Sequence, residues 1–297
     1  MPATAQDAPG RGASKVEEIP KAGWKDILRR TYAGFVDDHV MLIAAGVTFY
    51  GLLALVPSLT ALVSLYGLFT DPASLDRHIG VLEGFVPGGG LDIVREQLQR
   101  LAERGPTKLG VTSLVAFVIA LWSANSGVKA MFEAMNVAYG AEEKRSYLRL
   151  TLVTLAFTLA SFAAILALLG LLVVLPVVLQ FLGLGVVAQW ASRIGGLVLL
   201  VALLVAGLAA LYRFGPSRPD ARWRWITPGA VVAMVVILVA SGLFTWYVAA
   251  FGSYDATYGS LGAVFGFMTW LWIAAIIVIV GAELNGEIER QTAGPAE

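Results

Sequence analysis

The sequence predicts an all-α integral membrane protein: a single bundle of six transmembrane helices, both termini cytoplasmic, with an amphipathic helical segment outside between the first two spans. Three observations predict it. Of 297 residues, 58% are hydrophobic and only 14% charged, whereas soluble domains are about a quarter charged. Runs that match the roughly 20 apolar residues an α-helix needs to cross the hydrocarbon core recur along the chain, and between Leu261 and Gly281 there is no charged residue at all. Lysines and arginines gather in alternate loops, which fixes a sidedness.

Composition also removes function classes. Formal net charge is zero, so no whole-chain field attracts nucleic acid and any charge logic is local. The chain has no cysteine, which excludes disulfides, thiolate nucleophiles and iron–sulfur clusters. His39 and His78 are the only histidines, too few for a histidine-rich hydrolase metal centre. No cofactor is expected. Gly88, Gly89 and Gly90 form an exterior turn without the strand context a phosphate loop requires.

Residues 1–23 are rich in Pro, Gly, Ala and charge and lack an apolar core, as in a disordered cytoplasmic tail and not a cleavable signal. The membrane domain is expected over 24–290, with 291–297 a short C-terminal tail. At its start Trp24, Leu28, Thr31 and Phe35 share a helical face while Lys25, Arg29 and Arg30 point elsewhere. That pattern suits a basic amphipathic helix at a headgroup surface, and equally a helix packed on the protein's own loops.

The first span, 40–69, carries Gly46 and Gly51 among alanines, small residues that let helices approach closely. Pro57 lacks an amide donor and is expected to break or bend this helix, either exposing carbonyls to a cavity or serving packing geometry alone. Residues 71–108 are mixed in charge, with an apolar stripe at Leu91, Val94, Leu98 and Leu101, and are placed on the outer surface as a helical hairpin.

In the second span, 109–139, the apolar part ends at Trp122 and the helix continues as SANSGVKAMFEAMNVAY. Asn125, Lys129, Glu133 and Asn136 then share an arc of about 80°. Two accounts fit. The arc lines a water-filled cavity in the bundle, or the helix protrudes into the cytoplasm with its polar face solvated.

The third to fifth spans are expected at 150–174, 194–212 and 226–247, with Pro176 and the Gly183/Gly185 region dividing the long uncharged run. The sixth, 258–284, has Gly259, Gly262 and Gly266 on one face, a packing surface for another helix. It ends in Glu283, Asn285 and Glu287, where apolar side chains give way to carboxylates. With six spans and both termini inside, the N-terminal arm, Lys144, Arg145, Arg149, Arg213, Arg218, Arg222, Arg224 and Arg290 are cytoplasmic. Most cations left outside belong to the charge-balanced 71–108 segment, where the rule is weak.

Several stretches together carry a family resemblance: AAGVTFYGLLALVPSL at 44–59, LWSANSGVKAMFEAMNVAY at 121–139, FGPSRPDARWRWITPGA at 214–230, and YGSLGAVFGFMTWLW with GAELN in the last span. The chain resembles the YihY/BrkB family of bacterial inner-membrane proteins, historically labelled ribonuclease BN-like, from about Trp24 to Arg290. The resemblance implies a six-span protein of the cytoplasmic membrane whose molecular activity is poorly defined. The nuclease label is not carried across, because phosphodiester hydrolysis normally needs bound metal ions or a positioned base with a cationic clamp, and the acidic and histidine clusters that would supply them are missing.

The function expected is therefore non-enzymatic. The leading reading is a transporter or permease-like protein that moves an ion, small solute or lipid through a polar cavity lined by Asn125, Lys129, Glu133, Asn136 and Glu283. The alternative is an envelope scaffold or assembly factor, docking through 71–108 and the arginine loop. The expected partners are the bilayer and one such small substrate, with no nucleic acid. Homo-oligomers are possible through glycine-striped helices but nothing in the sequence requires them.

Overall fold

A computed structural model of the chain describes residues 9–13, 15–66, 111–181, 185–218, 223–251 and 260–292. Among these the regular structure is helical throughout: α1 (Lys21–Asp37), α2 (Val40–Tyr66), α3 (Val111–Ala138), α4 (Tyr147–Phe181), α5 (Gly185–Phe214), α6 (Trp223–Phe251) and α7 (Ser260–Thr292). Four contain a segment long and apolar enough to cross a membrane: Tyr147–Leu168, Ile194–Phe214, Pro228–Val248 and Val264–Thr292. A fifth results if α1 and the first part of α2, bent by 63°, form one broken span. The chain is a multi-pass helical membrane protein.

Helices α2 to α7 close into a ring in chain order. Each packs on the next, α7 returns to α2, and α3 also reaches α7 across the ring. The most extensive pairing is α2 with α3. Its tightest point is Gly127, where an added Cβ would lie 3.4 Å from Ala54 and 3.5 Å from the Cα of Gly51. Outward faces carry Ile119, Val198, Val239 and Leu243, each more than half exposed. On a soluble protein such a surface would signal a partner; on this bundle it is the face that meets lipid.

One end of the ring holds the main core. Val40 and Ala44 of α2, Phe132, Met135 and Ala138 of α3, Leu211 and Tyr212 of α5, Ala230 of α6, and Ile279 and Ala282 of α7 form one buried cluster there. The starts of α2 and α6 thus meet the ends of α3, α5 and α7, and α1 packs on α7 at the same place. We call this the terminal end. Between α1 and α2 the chain turns at His39, whose φ of 50° is a left-handed conformation few side chains adopt without cost.

The structure departs from the sequence expectations at several points. Of the α1 stripe Trp24, Leu28, Thr31 and Phe35, Thr31 is buried and Trp24 and Phe35 pack half-buried against the core, whereas Leu28 is 58% exposed and Gly23 and Ile27 are buried in addition. Gly34 lets the α1 backbone approach Glu283 of α7, while Leu28, Tyr32 and Val36 face outward. The segment read as a disordered tail is packed in part, since Ile19 is buried with Ile27, Leu284 and Ile288. Helix α4 continues past Pro176 to Phe181, and α7 runs on to Thr292 because neighbouring elements enclose its polar last turns. Pro57 stands inside α2, which remains helical on both sides. An added Cβ at Gly46 or at Gly51 would meet only open space; the glycine in close contact is Gly127 of α3, which lies over Gly51 and Ala54. Gly262 is buried and Gly266 half-buried, whereas Gly259 and the 71–108 segment lie outside the described residues.

Candidate functional site

The last turns of α7 are buried on every side, from Gly281 to Ile288 without interruption. Their polar side chains face α6, α1 and the N-terminal segment. Asn285 Oδ1 accepts the Gly229 N–H of α6 at 2.8 Å. This approach needs glycine on both helices: a Cβ at Gly229 would run into the Gly281 carbonyl and Asn285, and one at Gly281 into the Tyr212 hydroxyl. The Tyr212 hydroxyl in turn donates to the Val278 carbonyl at 2.9 Å. Glu287 pairs with Arg30 of α1 and with Arg290. Gln291 accepts from Arg30 at 2.5 Å and donates to the Pro9 carbonyl at 2.7 Å, which ties the N-terminal segment to α7.

Glu283 is 3% exposed and faces α1. A Cβ at Gly34 would come within 2.9 Å of its Oε2. Its Oε1 is buried with no hydrogen-bond partner among the described residues.

The polar arc of α3 divides among four environments. Asn125, 1% exposed, accepts the Thr158 hydroxyl of α4 at 3.2 Å. Glu133 is exposed. Asn136 staples two loops, donating to Glu143 at 2.9 Å and accepting the Ser217 N–H at 2.7 Å. Arg145 completes that staple, donating to Glu143 at 2.7 Å and to the Gly215 carbonyl at 2.6 Å. The hydrogen bond from Arg145, helped by Asn136, holds the Glu143 carboxyl down to about 2. Nearby, Arg218 pairs with Glu289 and lies 3.8 Å from the centre of the Tyr139 ring.

Lys129 is the member of the arc that faces space. It lines a cleft of about 330 Å³ between α2 and α3, with Leu53, Pro57, Trp122, Ser123 and Ser126. Its Nζ donates to Thr151 of α4 at 3.0 Å and sits 5.2 Å from the Trp122 ring and 4.8 Å from the Tyr147 ring. Pro57 has no amide hydrogen to give the Leu53 carbonyl one turn back, so the cleft wall holds an acceptor as well as the serine hydroxyls. Of the five residues expected around one cavity, Lys129 alone lines this cleft, and Glu283 belongs to the separate α1–α7 contact. The residues that organise the buried end of α7, Arg30, Gly229 and Gln291, were not assigned to it from sequence. The one local signal was Pro228-Gly229 at a span entrance.

The profile of the family Virulence factor BrkB matches residues 31–297. The chain belongs to the BrkB family. Among relatives of this BrkB-family protein, the ribonuclease-like protein YfkH of Bacillus subtilis strain 168 is 32% identical over 265 residues, covering 86% of this chain and 92% of YfkH. The UPF0761 membrane protein NMB0524 of Neisseria meningitidis serogroup B is 29% identical over 266 residues, covering 86% of this chain and 61% of that one. A UPF0761 membrane protein of Alkalilimnicola ehrlichii is 31% identical over 257 residues, covering 84% and 55%. The BrkB-family chain thus spans little more than half the length of these UPF0761 relatives. No solved structure matches it.

Proposed function

We propose that the chain is a non-enzymatic permease-type protein of the bacterial cytoplasmic membrane, with six spans (α2 to α7) and both termini in the cytoplasm, moving an ion, small solute or lipid along the α2–α3 cleft. The cleft with Lys129 on its wall carries this reading, because a lysine turned into a cleft between membrane helices is placed to serve a pathway or a partner. The closed order of α2 to α7 supports an even number of spans. The loops at the terminal end carry Lys144, Arg145, Arg149, Arg213 and Arg218, which supports a cytoplasmic position for that end.

The test is flux in vesicles reconstituted with the purified chain, using potassium, chloride, inorganic phosphate and a fluorescent phosphatidylglycerol as separate probes. At least one should move faster than in protein-free vesicles, and Lys129→Met should slow it. If all four cross at the protein-free rate, the permease reading fails.

A further inference from the structure

The Lys129 cleft has a chemistry that narrows its ligand. Among the described residues no carboxylate stands at ion-pair distance from Lys129, although Glu133 lies one turn further along the same helix. An ammonium so placed has three donors, and Thr151 takes one of them at 3.0 Å. The Trp122 and Tyr147 rings, 5.2 and 4.8 Å from the nitrogen, stabilise the cation but accept no conventional hydrogen bond. Among the described residues the site therefore holds a localised positive charge without a counter-ion.

Its position matters equally. Thr151 lies one turn into the span that begins at Tyr147, about 6 Å along the helix axis, so Lys129 is level with the headgroup boundary. Trp122 and Tyr147 are 56% and 70% exposed, and exposed aromatic rings of this kind sit at membrane interfaces. From Trp122 to Lys129 the cleft follows two turns of α3, about 10 Å. Its 330 Å³ is at the lower end of ligand-pocket sizes, enough for a headgroup but not for acyl chains.

From these features we infer that the α2–α3 cleft binds the phosphate or carboxylate headgroup of an anionic amphiphile, with Lys129 as its counter-charge and Trp122 and Tyr147 at its lip. The inference rests on the permease reading of the same cleft and names its substrate class. Lys129 supplies the charge-assisted hydrogen bond, Ser123 offers a hydroxyl, and the acyl tails remain in the surrounding leaflet.

The experiment measures lipid retention by the full-length chain in native mass spectrometry, with phosphatidylglycerol, phosphatidylcholine and inorganic phosphate as probes. Phosphatidylglycerol should be retained roughly tenfold better than phosphatidylcholine, as expected for one charge-assisted hydrogen bond. Lys129→Met should remove that preference and Lys129→Arg should keep most of it, with both variants matching the parent in thermal unfolding. Competition by millimolar inorganic phosphate would assign the site to free anions in place of lipid headgroups and overturn the amphiphile. An unchanged preference in Lys129→Met overturns the site itself. Because binding is read without flux, Lys129-dependent retention with no transport removes the permease and keeps the site, whereas transport without that dependence does the reverse.

Discussion

The Gly229 N–H donates to Asn285 Oδ1 across 2.8 Å, joining α6 to α7 where both backbones are buried. Residue 229 follows Pro228 near the start of α6, so a side-chain amide from another helix satisfies a backbone donor close to a proline that can offer none. With Gly281 opposite, this contact sets how near the two helices come.

Replacing Asn285 with Ala should destabilise the protein by about 1–3 kcal/mol, the cost of a buried donor left unpaired. Gly229→Ala should be at least as damaging, because the new methyl meets the Gly281 carbonyl and Asn285. Gly242 provides the control: a Cβ there meets nothing within 4 Å, so Gly242→Ala should be neutral or stabilising by up to about 1 kcal/mol. Thermal unfolding of the purified chain in detergent separates the three; equal shifts would dismiss the contact.

Arg30 and Glu287 couple α1 to α7, with the Glu287 side chain 5% exposed. Arg30→Ala leaves Glu287 to Arg290 alone and should also loosen Gln291. A double-mutant cycle of Arg30→Ala and Glu287→Gln should give a coupling of about 1–3 kcal/mol. Protease cleavage within residues 15–20 should rise in the single variants, and strict additivity with unchanged cleavage would show that α1 is held by other contacts.

The loop staple predicts a pH dependence. The Glu143 carboxyl is held down to about 2, chiefly by Arg145, so its contribution is complete above the ordinary carboxylate value. It is lost as pH falls from there through about 2. The pair is near the surface, and solvent screening limits the effect to about 1 kcal/mol or less. In Glu143→Gln the melting temperature should be lower at pH 7 and fall less steeply between about pH 4.5 and 2; identical slopes would count against the staple.

Absence of native cysteine makes the proposed topology directly testable. Single cysteines at Glu142 and Arg290 should react with an impermeant maleimide only from the cytoplasmic face, and one at Ser74 only from the opposite face. Labelling of Ser74 and Glu142 from the same side would exclude six spans with both termini inside.

Membrane residence, helical class and four apolar segments long enough to cross a membrane were legible in the sequence alone, because each rests on local properties: apolar length and uncharged runs. The family, too, was legible in co-linear motifs such as GAELN. What only the tertiary structure decided is which small and polar residues meet. Helical phase placed Leu28 on the docked face of α1, but Gly34 allows the close approach to Glu283 of α7 and Leu28 faces outward. Likewise, Asn125, Lys129, Glu133 and Asn136 share one arc on a single helix, yet α4, the α2 cleft, solvent and two loops take one each. Glu283 stands against Gly34 because α1 turns at His39 to lie on α7. A periodic pattern records a residue's own helix, whereas partners depend on backbone separations that glycines more than thirty residues away in the chain help to set, as Gly229 does for Asn285.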